Sequence, residues 1–172
     1  QPVLRLSLLR ITTLRAAVTG GALFRIGSGA VPFLLPLMLQ LGFGYTPLES
    51  GLVTCVAIGG AMAMKLLAKP ILQRFGFRTT LVVTTIVGGA LTAVGLYRPD
   101  ISLAVLIPLL LVGGFFRSLF FTSINALAFA DVPRESTGDA TAMMGALQQV
   151  AIATGVALAG AVLEIGMVMS GR

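Results

Sequence analysis

Long, uninterrupted apolar runs dominate this chain. A helix that crosses about 30 Å of hydrocarbon needs about 20 mostly apolar residues. Five segments meet that requirement, at about 22–41, 50–68, 80–97, 101–129 and 138–165. The fourth is long enough to tilt or to project beyond the bilayer. Strands of a membrane barrel would alternate over short stretches; these runs are continuous and too long, so the pattern predicts an all-α membrane protein. The connections are short, at 42–49, 69–79, 98–100 and 130–137, and carry turn or cap chemistry such as Thr46-Pro47, Phe75-Gly76-Phe77 and Asp131-Val132-Pro133. Ahead of the first run, residues 1–19 form a lead-in where Leu4, Leu8, Ile11 and Leu14 recur at helical spacing among Arg5, Arg10 and Arg15. That pattern suits a cytoplasmic helix lying on the membrane surface; a plain linker is the alternative.

Composition narrows the function classes. The 172 residues are 56% hydrophobic and 10% charged, with a mean hydropathy of +0.99, where soluble domains carry about a quarter charged residues. There is no histidine and Cys55 is the single cysteine, which removes disulfide frameworks, the usual zinc sites and His-based acid–base catalysis. The sequence has no phosphate-binding glycine loop, catalytic triad or metal motif, so neither an enzyme nor a cofactor is expected. The net charge of +6 could suggest nucleic acid, but in so apolar a chain basic residues set orientation. With the N-terminus inside, the inner segments hold eight basic residues (Arg5, Arg10, Arg15, Lys65, Lys69, Arg74, Arg78 and Arg134) and the outer ones hold two, Arg98 and Arg172. That imbalance predicts a cytoplasmic N-terminus. The start at Gln1 and the odd number of spans lead us to read the chain as a piece of a longer protein.

Arg117 is the most informative residue. It lies near the middle of the fourth span, where an arginine costs about 2.5–3.5 kcal/mol on insertion scales and must face the bundle interior or a wet cavity. Arg117, Phe121 and Asn125 fall on one helix face, a stripe that suits a substrate or proton pathway; a structural arginine satisfied by a neighbouring helix is the bland alternative. Arg25, one turn into span one, either joins that pathway or snorkels to the surface. Pro32 and Pro36 in span one and Pro108 in span four remove backbone donors and predict kinks, which fits helices lining a cavity. Gln148 and Gln149, adjacent in span five, point about 100° apart, so one can face a cavity while the other bonds a neighbouring helix. Small residues predict close helix packing: Ala151, Gly155 and Ala159, then Ala142 with Ala146, and Gly89 with Ala93 beside Gly88. The acids Glu49, Asp100, Asp131, Glu135, Asp139 and Glu164 all sit at span ends or in loops.

Several of these stretches resemble one family. The run from Arg25 to Gln40, with Gly27, Gly29, Pro32 and Pro36, is similar to the first helix of the C-terminal half in the fourteen-span drug:proton antiporter branch of the major facilitator superfamily. Gly113 through Leu119, then Asn125 through Ala128 and Asp131-Val132-Pro133, also resemble that branch, as does Gln148-Gln149 followed by Gly155-Val156-Ala157. The resemblance covers nearly the whole chain after about Leu4. The loop from Gln73 to Arg78 resembles the superfamily's cytoplasmic signature, Gly-x-x-x-Asp-Arg-x-Gly-Arg-Arg. Arg74, Gly76 and Arg78 match it, whereas Lys69 and Gln73 replace the first Gly and the Asp, which puts a relay role at position 73 in doubt. Arg74 and Arg78 suit anionic lipid or a helix end, or simply a solvated basic turn.

The resemblance implies a partial C-terminal bundle of a secondary active transporter in a bacterial inner membrane. Its partners would be the lipid bilayer, a small amphipathic substrate, the proton as coupling ion, and the N-terminal half and last helix of the same protein. Since no acid lies deep in these spans, the proton carrier would lie elsewhere in that protein. A metabolite-specific transporter of the same superfamily, and a non-transporting scaffold or half-unit acting as an oligomer, are the alternatives.

Overall fold

Every backbone N–H and C=O inside hydrocarbon needs a partner within its own segment, so apolar runs of this length must become helices. The computed structural model describes residues 6–96 and 101–169. A 3-10 turn at Leu6–Arg10 leads into α1 (Thr12–Ser28), α2 (Val31–Leu41), α3 (Pro47–Leu96) and α4 (Leu103–Phe129); a second 3-10 turn at Arg134–Ser136 precedes α5 (Thr137–Met169). No strand occurs among the described residues. Four helical stretches are long and apolar enough to cross a bilayer: Thr12–Leu41, Pro47–Leu91, Leu103–Phe129 and Arg134–Gly166. The chain is an all-α membrane fragment. Of the sequence features above, Leu4, Arg5, the end of the third span at 97, Arg98, Asp100 and Arg172 lie outside the described residues.

The stretch Pro47–Leu91 has 45 residues. As one straight rod it would run about 67 Å, more than twice the hydrocarbon thickness. Gly76 interrupts it with φ 73° and ψ 168°, a conformation that only glycine adopts readily. Beyond the break, Leu91 shares a cavity wall with Ala57 and Ile58. These positions lie at similar chain distances on either side of Gly76, so limbs 47–75 and 77–96 run antiparallel. α3 is therefore a helical hairpin and supplies two crossings, which brings the total to the five expected. The connection anticipated at 69–79 shrinks to one residue. Lys69, Arg74 and Arg78 stay helical because their exposed side chains carry the charge outward along apolar stems.

The first span is not one helix either. It breaks at Gly29–Ala30 into α1 and α2. Pro32 lacks the N–H that would have bonded the Ser28 carbonyl, and its ring would crowd that carbonyl in a continuous helix. The Gly29 N–H closes α1 on the Arg25 carbonyl at 2.6 Å. Pro36 and Pro108, by contrast, lie inside α2 and α4, whose helical assignment continues through them. Of the lead-in, Thr12 onward belongs to α1.

The described chain divides into two compact units, one holding residues up to Ala30 and from Ala128 onward, the other holding Val31–Leu127. In the first unit α1 packs on α5. Leu14, Ala17 and Gly21 form the buried stripe of α1, and Ala140, Met143, Met144, Ala151 and Gly155 form that of α5. A methyl added at Gly155 would overlap the Ile26 carbonyl, and one at Gly29 would press on Ile152 at 3.3 Å. The predicted small-residue pair Ala142 and Ala146 is exposed instead, so the close contact uses one face of α5 and not both.

The second unit repeats that device with different residues. A methyl at Gly60 of α3 would overlap the Leu111 carbonyl of α4, and one at Gly114 would overlap the Ala57 carbonyl. Farther along both helices Met64 and Ala68 bury against Leu119, so the first limb of α3 and α4 run parallel. The Ser118 hydroxyl reaches the Ala61 carbonyl at 3.4 Å. Gly88 rather than Gly89 faces α4, 3.7 Å from the Phe116 Cβ for an added methyl. At the other end Leu35 and Leu39 of α2 bury with Leu106 of α4, and the Ser50 hydroxyl donates to the Pro36 carbonyl at 3.3 Å.

The hairpin starts with a capping box. The Thr46 N–H and hydroxyl both donate to the Glu49 carboxylate at 2.9 Å, and the Glu49 N–H returns to the Thr46 hydroxyl at 3.3 Å. Pro47 at the first helical position needs no donor there. The two Thr46 bonds hold the Glu49 carboxyl below its ordinary range.

Two predictions follow from this packing. Gly60→Val and Gly155→Val each lower thermal stability of the purified protein by about 1–3 kcal/mol, while Gly59→Ala, with nothing within 4 Å, is neutral or gains up to about 1 kcal/mol. Because the folded pKa of Glu49 is depressed, its contribution is present above the unfolded carboxylate pKa and is lost as pH falls through the folded value. NMR titration of Glu49 should show Thr46→Ala raising its pKa toward the ordinary value, and an unchanged midpoint would refute the cap.

Candidate functional site

Within the second unit, α2, both limbs of α3 and α4 line a partly open cavity of about 190 Å³. Its walls are aliphatic: Val31 and Leu35 from α2, Ile58 and Leu91 from the α3 limbs, Leu109 and Leu110 from α4. Gly113 and Gly114 leave α4 without side chains on one stretch of wall, and one turn on from Gly113 stands Arg117. Nothing lies within 4 Å of where a Gly113 side chain would begin, so this stretch of the α4 wall is open. The other polar lining group is Thr54, whose hydroxyl proton is already given to the Ser50 carbonyl at 2.8 Å. Arg117 is half-buried and makes no hydrogen bond or ion pair with any described residue. Among the described residues it is thus the one charged group on an otherwise greasy wall, and the one side chain there with uncommitted protons to donate.

Of the residues expected from sequence, Arg117 and Pro32 reach this cavity. Phe121 and Asn125 continue the α4 face beyond it, both half-buried, with Phe121 edge-on to Phe120 at 5.8 Å. Pro36 and Pro108 lie off the wall. Arg25, Gln148 and Gln149 belong to the first unit. There Gln148 is half-buried and Gln149 exposed, which separates the two glutamines. In the α3 turn, Arg74 and Arg78 are exposed, and the Arg74 guanidinium sits 5.9 Å from the Phe75 ring centre. The wall residues Thr54, Ala57, Ile58 and Leu91 went unmarked in the sequence, since nothing distinguishes them from lipid-facing positions until the hairpin brings the limbs together.

The sequence of this chain is matched by one family model, the Major Facilitator Superfamily, over residues 17–168. The chain belongs to that superfamily. It is 35% identical to the "Probable transport protein HsrA" of Haemophilus influenzae over 165 residues, which is 95% of this chain and 35% of that protein. Relatives named "Putative multidrug resistance protein MdtD" are 31% identical in Escherichia coli O6:H1 over 161 residues, 93% of this chain and 34% of theirs. In Salmonella newport the figures are 35% over 162 residues, 92% and 34%. The chain spans about a third of the length of these curated relatives. No solved structure matches it.

The burial difference between the glutamines makes a direct prediction. Gln148→Ala should lower thermal stability by about 0.6 kcal/mol and by up to about 1.7, the range of hydrogen bonds within membrane bundles. Gln149→Ala should stay within about 0.5 kcal/mol of the parent. Equal effects in differential scanning would contradict the assignment.

Proposed function

We propose that this major facilitator chain is part of a secondary active exporter of small amphipathic compounds, driven by proton entry through alternating access. The reading is carried by Arg117. An arginine near the middle of a span is costly to insert, and here it lines a cavity large enough for a small molecule instead of pairing with a described residue. The names of the relatives, a transport protein and multidrug resistance proteins, support the direction of the reading. In it, the stripe from Arg117 through Phe121 to Asn125 guides substrate along α4, while Arg25, Gln148 and Gln149 are separate pathway candidates within the other unit. The break at Pro32 shapes the cavity wall. The basic turn of Arg74, Gly76 and Arg78 stays on the cytoplasmic side of the inner membrane, as does the N-terminus.

The proton carrier, in this reading, is a carboxylate in the remainder of the full-length protein, because the acids of this chain sit at helix ends and in loops. That remainder, the N-terminal half and the last helix, completes the bundle around the central pathway.

The test is efflux by the full-length protein in cells lacking other exporters. Arg117→Ala should reduce export of an amphipathic dye by at least about tenfold, the effect of losing one charge-assisted contact, with membrane levels unchanged. Collapsing the pH gradient should stop export by the parent. Full export by Arg117→Ala would remove the arginine from the pathway, and export indifferent to the gradient would remove the proton.

A further inference from the structure

We infer that the Arg117 cavity selects small lipophilic monoanions, compounds with one carboxylate or equivalent acid on an apolar body about the size of a single ring. The inference rests on reading this cavity as the substrate site and adds the sign of the charge it takes.

Charge comes first. Among the described residues Arg117 is the only ionic group on the cavity wall, and none of them neutralises it. In surroundings of low polarity an unpaired cation is strongly disfavoured, so a ligand that brings the missing negative charge recovers the most. A planar guanidinium presents paired N–H donors that match a carboxylate. A cationic ligand would instead place a like charge in the same aliphatic pocket, and a neutral one would offer only uncharged acceptors.

Position and size follow. Gly113 lies one turn before Arg117 on α4 and leaves open space where its side chain would begin. That leaves room for an acid head on the stretch of α4 wall that Arg117 also lines. Past the head, Leu35, Ile58, Leu91 and Leu109 offer only hydrocarbon. An apolar cavity of about 150 Å³ holds benzene, and the cavity here measures about 190 Å³, which leaves room for one ring and a small acidic group. The hydroxyl proton of Thr54 is committed to the Ser50 carbonyl, so among the described lining residues no other side chain competes to donate to the head.

Three isosteric probes decide the matter: benzoate, benzamide and benzamidinium, titrated calorimetrically into the purified full-length protein at neutral pH and constant ionic strength. Benzoate should bind at least about tenfold more tightly than benzamide, with benzamidinium weakest. Arg117→Gln should remove the advantage of benzoate while leaving benzamide within about twofold, and Arg117→Lys, a point charge without the fork, should retain part of it. Equal or tighter binding of benzamidinium, a benzoate preference that survives Arg117→Gln, or no binding of any probe would overturn the inference. Should Arg117→Gln fail to fold, the order of the three probes on the parent protein still decides. A carboxylate reaching Arg117 from another part of the full-length bundle would erase that order and refute the inference in the same measurement. Binding with the expected order in a protein that does not export benzoate would uphold the inference and reject the transport reading separately.

Discussion

In lipid, helices gain nothing by hiding apolar side chains from one another, since the surrounding tails are equally apolar. What remains is how closely two backbones can approach. In each compact unit of this chain one helix pair meets where glycine faces a carbonyl, Gly155 on Ile26 in one and Gly60 on Leu111 with Gly114 on Ala57 in the other. Both use a three-residue step between the glycine and the residue whose backbone its partner touches. At such range many weak dispersion contacts and Cα–H···O contacts accumulate, and they replace the solvent-driven force that a soluble core relies on. Exposed apolar side chains such as Leu66 at 84% and Val162 at 69% then fit naturally, because in a bilayer they face a solvent of their own kind.

The same contact shapes the chemistry. Ala57 and Gly114 belong both to the closest crossing of α3 with α4 and to the cavity wall. The crossing fixes how far Arg117, almost one turn beyond Gly114, stands from the opposite limb. A wider separation between the helices would enlarge the cavity. Packing and site are therefore one structure here, and the small residues that look like passive spacers set the dimensions of the space beside the charge.

How much of this was readable in advance depends on the kind of signal. Span number and helical class follow from run length, because hydrocarbon thickness sets it. The family was legible in the run from Arg25 to Gln40 and in the segments around Arg117 and Gln148. Arg117 itself stood out because charge within a span is expensive. The hairpin turn was placed correctly but drawn too long, since basic residues read as loop although their stems can stay helical. The break at Gly29–Ala30 was hidden inside an otherwise continuous apolar run. Nor could the sequence say that Gly88 and not Gly89 meets α4, or that Gln148 turns inward. A shift of one residue rotates a helix position by about 100°, and apolar residues all round a membrane helix leave no amphipathic face to fix that rotation.

Gly60 and Gly76 show that an unreplaceable residue can be so for opposite reasons. At Gly60 the dihedral angles are ordinary and the room is missing, whereas at Gly76 the room is ample and the dihedral angles are forbidden to L side chains. Inheritance would treat the two differently. A change at Gly60 can be rescued by a second change that lets α4 give way, so the pair can drift together over generations. At Gly76 no neighbour can compensate, because the penalty lies in the residue's own backbone. Any single-base change in its codon that alters the amino acid adds a Cβ and must pass selection alone.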